Sequence, residues 1–124
     1  MSGRGAELSV EVRRERGVEI AEVTGDIDVS TVSGLRERLL GLADGGEPLI
    51  VDLNSVSFID STGLGVLVAV ARRADARGGS LHAVCSRPPT RKLLWLTGVD
   101  RRIPLAATVD GALTDLTDSR DAPG

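Results

Sequence analysis

Residues 49–71 read LIVDLNSVSFIDSTGLGVLVAVA. Leu49 to Leu53 are apolar apart from Asp52, as suits a central strand covered on both faces. A short polar loop is expected after Leu53, ending at Asp60-Ser61-Thr62-Gly63. Leu64, Leu67, Val68 and Ala71 then follow an i, i+3, i+4, i+7 spacing, so a helix is expected from about Ser61 to Arg77. That order places the Ser61 hydroxyl in the first turn of a helix, where backbone N–H groups lack intrahelical partners. The position suits a phosphate, and it equally suits a serine acting only as N-cap.

Upstream, Leu8, Val10 and Val12 alternate with polar residues, as in a half-buried strand. Arg14-Glu15-Arg16-Gly17 reads as a turn, and Val18 to Thr24 as a second strand antiparallel to the first. Gly25-Asp26-Ile27-Asp28 is expected to break it. Ser30, Thr31 and Ser33 are candidate caps for a helix whose buried face is Leu35, Leu39 and Leu42. Downstream, Gly78-Gly79 stops the second helix and Ser80 to Cys85 reads as a short strand. Pro88 and Pro89 open a third helix through about Leu96, with Trp95 as a packing residue. Ile103-Pro104-Leu105 is expected as an edge strand and Val109 to Leu116 as a last helix. Strands alternating with helices indicate an α/β domain whose sheet is mostly parallel after an initial hairpin.

The 124 residues fit one domain, and 41% hydrophobic content with mixed charge argues for a folded chain. Aromatic residues are Phe58 and Trp95 alone, so the core must be aliphatic. A formal charge of −3 and basic residues in short pairs (Arg13-Arg14, Arg72-Arg73, Arg101-Arg102) give no nucleic-acid footprint. The longest apolar run, Val66 to Ala71, is far short of the roughly 20 residues of a membrane span. A lone Cys85 and an N-terminus without an apolar signal segment fit a cytoplasmic protein.

Catalytic readings lack partners. A Ser61 nucleophile needs a base, and the one histidine, His82, falls inside an expected strand. No Gly-x-Ser-x-Gly surrounds Ser61. Gly63 and Gly65 are not followed by the Lys-Ser/Thr of a phosphate loop, and they suit close approach of the helix to the sheet or to a partner. Asp26, Asp28, Asp52 and Asp60 lack the His/Cys cluster of a zinc site. Carboxylates could hold Mg²⁺, but two loop aspartates such as Asp26 and Asp28 are commoner as caps and turn formers. No cofactor, metal or enzymatic activity is expected.

Gly25-Asp26-Ile27-Asp28, Val51-Asp52-Leu53 and Val56-Ser57-Phe58-Ile59-Asp60-Ser61-Thr62-Gly63-Leu64-Gly65 carry a resemblance. Over residues 8–116 the chain resembles a STAS domain, most closely the bacterial anti-sigma factor antagonists. The resemblance implies an α/β STAS-like single domain: a small, mostly parallel mixed sheet with an N-terminal hairpin and about four helices largely on one side. Residues 1–7 and 117–124 would be flexible tails. It implies phosphorylation of Ser61 by an anti-sigma factor that is itself a serine kinase. Thr62 also carries a hydroxyl and is the second candidate acceptor. The unmodified protein would bind that kinase and free a sigma factor, and a serine phosphatase would reverse the modification. The partner surface would comprise Asp28, Ser30, Asp60, Ser61, Thr62, Gly63 and Leu64. The alternative within the family is an accessory STAS subunit of a lipid-transport or stressosome complex, not regulated by phosphorylation.

Overall fold

A computed structural model describes residues 8–121, with side chains described as far as Thr117. Ser9–Glu15 forms β1 and pairs antiparallel with β2 (Val18–Ile27), Glu15 opposite Val18. The two-residue turn between them has Arg16 at φ 55° and Gly17 at φ 76°. Positive φ at both positions is what a type I′ turn requires, and its twist matches that of the strands it joins.

Three crossovers follow. Helix α1 (Val32–Ala43) leads to β3 (Pro48–Ile59), and α2 (Ser61–Ala76) to β4 (Ser80–Val84). The pair α3 (Pro88–Thr97) and α4 (Val99–Arg102) leads to β5 (Leu105–Ala106). Helix α5 spans Val109–Asp121. The sheet runs in the order β1-β2-β3-β4-β5, with β2 to β5 mutually parallel. Parallel crossovers are right-handed almost without exception. Each one here adds its strand on the same side of the last, so α1 to α4 all fall on one face. Leu39, Leu67 and Leu94 pack there against Val23, Val51 and Leu53. The opposite face is covered by α5, whose Ala112, Leu113 and Leu116 seal Val18, Ile20, Ile50 and Val84. The expected four helices on one side are present, with a fifth across the sheet.

The expected break at Gly25 and the expected loop after Leu53 are both strand. β2 continues to Ile27 and β3 to Ile59. Their pairing shifts register between Glu22 and Thr24 and again between Gly25 and Asp26, and each shift places an extra residue in β3. Such bulges bend a strand and end its period-two pattern. Leu53, Val56 and Ile59 are therefore buried at intervals of three, which a strand template does not recognise.

Helix α5 continues through 117–121, the first part of the tail expected at 117–124, while residues 1–7 and 122–124 lie outside the described residues. Trp95 does not pack: it is 65% exposed, and Leu94 takes the buried position in α3.

His82 is half-buried on β4, its Nε2 3.2 Å from Ser80 Oγ. Burial pushes its pKa below the ordinary 6.5, against an opposing pull from Asp115. In the acid range the unfolded chain therefore binds this proton more readily than the folded one. The resulting stability is present above the unfolded pKa and is lost as pH falls through the depressed folded value. Urea midpoints should drop between about pH 7.5 and about pH 5.5, and His82→Gln should flatten that slope. A wild-type midpoint constant across this window would contradict the assignment.

Candidate functional site

Asp60 follows β3 with extended backbone (φ −112°, ψ −172°) and is the N-cap of α2. Its Oδ1 accepts from the backbone N–H of Thr62 at 3.0 Å, from that of Gly63 at 3.2 Å, and from the Thr62 hydroxyl. These bonds, the Thr62 hydroxyl foremost, hold the Asp60 carboxyl below its ordinary value, against desolvation and the nearby Asp28 charge. The cap is thus Asp60, and Ser61 is the first helical residue. Ser61 is exposed, and its hydroxyl makes no hydrogen bond among the described residues, whereas the Thr62 hydroxyl is engaged by Asp60. The N–H groups expected to be open to a phosphate are largely filled. Asp60 holds those of Thr62 and Gly63 through its carboxylate, and that of Leu64 through its carbonyl at 3.1 Å.

Asp28 stands at the matching end of the neighbouring strand. Ile27 pairs with Ile59, and the Asp60 N–H donates to the Ile27 carbonyl at 3.3 Å. Both acids therefore lie at the carboxyl ends of adjacent parallel strands, the usual place for a site in an α/β sheet. The Asp28 carboxylate accepts from the Ser30 hydroxyl at 2.7 Å and the Ser30 N–H at 2.9 Å, which lowers its pKa. Thr31 Oγ1 accepts from the Asp28 N–H at 3.0 Å and donates to the Asp26 carbonyl at 2.8 Å. These residues hold the loop together. Thr31 is the N-cap residue of α1, but its side chain makes no capping bond.

Gly63 and Leu64 belong to the packing beneath the surface. A Cβ on Gly63 would stand 2.6 Å from Ile27 Cγ2 and 2.8 Å from Ile59 Cγ1. Leu64 is 5% exposed. The exposed surface consists of Ser30, Ser61, Thr62 and Gly65, with Asp28 and Asp60 half-buried between them. Two apolar neighbours were not singled out from sequence: Val29, 73% exposed, and Phe58, 52% exposed. Val29 was detectable as an apolar residue inside the polar run Asp28–Thr31. The exposure of Phe58 follows from the β3 bulges and has no local signal. Ser57, Phe58 and Ile59 face Pro89, Thr90 and Leu93 across a cleft of about 140 Å³, which brings α3 to the edge of this surface.

His82 lies opposite Ile50 near the start of β3, while Ser61 follows the strand's end, so no Ser61–His82 couple forms. Among the described residues there is no cluster of three or more His, Cys, Asp or Glu able to hold a metal. No helix among them is long and apolar enough to cross a membrane.

Residues 9–112 match the family model of the STAS domain. The chain is 33% identical over 106 residues to the anti-sigma-B factor antagonist of Bacillus subtilis (strain 168), covering 86% of this chain and 97% of that protein. An anti-sigma factor antagonist from Mycobacterium paratuberculosis superposes with a TM-score of 0.83 at 33% identity, over 90% of this chain and 96% of that one. The Bacillus cell fate determinant SpoIIAA in its phosphorylated form superposes with a TM-score of 0.66 at 21% identity, over 87% of this chain and 99% of that one, and so shares the fold. The chain belongs to the STAS domain family, in the group of the anti-sigma factor antagonists.

Proposed function

We propose that this protein is a cytoplasmic anti-sigma factor antagonist switched by phosphorylation of Ser61. Unmodified, it binds an anti-sigma factor that is also a serine kinase, and so frees a sigma factor. Phosphorylated, it releases the kinase, and a serine phosphatase resets it. The names of the similar proteins support the partner, and the existence of SpoIIAA in a phosphorylated form supports the chemistry. The observation that carries the choice of residue is the contrast between neighbouring hydroxyls. Among the described residues Ser61 is exposed without a hydrogen-bond partner, while Thr62 is bound to Asp60.

Gly65 supports a partner surface here. It is exposed in the second turn of α2, and a Cβ on it would meet nothing within 4 Å. Glycine in a helix costs about 1 kcal/mol relative to alanine. Nothing in the fold requires that cost, and a flat spot four residues after Ser61 lets another backbone approach.

Purified protein incubated with ATP alone should remain unlabelled. With the cognate anti-sigma kinase it should gain one phosphate, located at Ser61 by peptide mass spectrometry. Ser61→Ala should stay unlabelled, and Thr62→Val should be labelled at close to the wild-type rate. Labelling without the kinase, or at Thr62, would overturn the assignment.

A further inference from the structure

Trp95 and Leu96, at the far end of α3, are 65% and 62% exposed. The chain reverses at Gly98, which is left-handed at φ 79°. Asp100 and Arg101 of α4 then share with Trp95 and Leu96 the lining of an open cleft of about 380 Å³. Segment 86–102 carries Arg87, Arg91, Lys92, Arg101 and Arg102 against one acid, Asp100, in a chain of formal charge −3. Arg87 and Arg91 donate to the backbone carbonyls of Val56 and Cys85. Lys92, Arg101 and Arg102 are exposed and form no ion pair among the described residues. Lys92 precedes Trp95 by three positions and Leu96 by four, so it shares their side of the helix.

The fold gains little from this arrangement, because an indole left in water forfeits the largest burial any side chain offers. Exposed tryptophan beside arginine is instead the composition that dominates interface energetics. We infer that the α3–α4 surface is a second docking site, which takes an acidic protein segment that inserts an apolar side chain beside Trp95 and Leu96. The cationic rim selects the acidic partner. It also disfavours a second copy seated on the same patch, since a two-fold contact sets like charges against each other. Asp100 in the cleft repels phosphate, and no second aromatic lines the cleft to stack a base, so lipid headgroups and nucleic acid fit less well.

Trp95 is the only tryptophan and the chain has no tyrosine, so intrinsic emission reports this surface alone. The probe is a synthetic peptide with leucines at i, i+3, i+4 and i+7 and glutamates elsewhere. Adding it should move Trp95 emission to shorter wavelength and reduce acrylamide quenching, with affinity that falls as salt rises. The combined variant Lys92→Glu, Arg101→Glu, Arg102→Glu should bind about tenfold more weakly or worse, with unchanged circular dichroism and urea midpoint. Ser61→Asp should respond like wild type, so this site stands or falls independently of the Ser61 switch. Four results would overturn the proposal: no response to the glutamate peptide; an equal response when lysines replace the glutamates; an equal response to phosphatidylglycerol vesicles or duplex DNA; or an emission shift that grows with protein concentration alone.

Discussion

Phosphoserine at position 61 is expected to weaken binding to the proposed anti-sigma kinase by at least about a hundredfold, close to 2.7 kcal/mol. The phosphate adds about −1.5 to −2 charge at neutral pH. It enters beside Asp28 and Asp60, both held below the ordinary carboxylate pKa and hence already ionised. The N–H groups of Thr62 and Gly63 that would otherwise draw it in are bonded to Asp60, so the new group projects outward into whatever covers the surface. A buried dianion without a counter-charge costs several kcal/mol, which exceeds the predicted loss. In the free protein the same group faces water and the positive end of the α2 dipole, so the fold is unaffected. Calorimetric titration of unmodified and enzymatically phosphorylated protein measures the difference. Ser61→Ala should bind like unmodified protein. Ser61→Asp should fall between the two, because one carboxylate carries about half the charge. Equal affinities for the two forms would remove the switch from Ser61. Loss of amide protection through α2 on phosphorylation would replace an interface mechanism with refolding.

Helix α2 was legible because Leu64, Leu67, Val68 and Ala71 keep one phase over its first turns. The end of β3 was not, because two inserted residues shift the phase within six positions. The cap read at Ser61 is Asp60 in the structure, a difference that local sequence does not decide. Both residue types cap well, and a boundary shift of one residue exchanges their roles. That exchange decides whether the serine hydroxyl is engaged or available, so the chemistry of the site turns on a detail below the resolution of a pattern. Trp95 was misplaced for a related reason. Leu93 to Leu96 are apolar without interruption, so they carry no phase, and only packing selects Leu94 as the buried residue. The separation of helices between the two faces depends on handedness and strand order, which act on the whole sheet rather than on any segment.

Gly63→Ala is expected to destabilise the protein by about 1–2 kcal/mol net, although alanine is the better helix former. The intrinsic preference of a helix for alanine favours the variant by about 1 kcal/mol. Against it stand Ile27 Cγ2 at 2.6 Å and Ile59 Cγ1 at 2.8 Å from the new methyl. Ile27 is 0% exposed and Ile59 7%, so neither side chain can swing into solvent. Overpacking of that kind typically costs about 1–3 kcal/mol, and here relief requires moving the first turn of α2 off the sheet. That motion carries Asp60 and Ser61 with it, so partner binding should weaken along with stability. Gly65→Ala is the control: its methyl meets nothing within 4 Å, and the substitution should raise stability by up to about 1 kcal/mol. The two variants separate a glycine required by the fold from one required at the surface. If Gly65 lies under the partner, its alanine variant will be more stable yet bind more weakly, whereas Gly63→Ala will lose both. Urea unfolding with calorimetric binding on the same preparations distinguishes these outcomes, and a Gly63→Ala protein of wild-type stability would show that the contact with Ile27 and Ile59 does not set the position of α2.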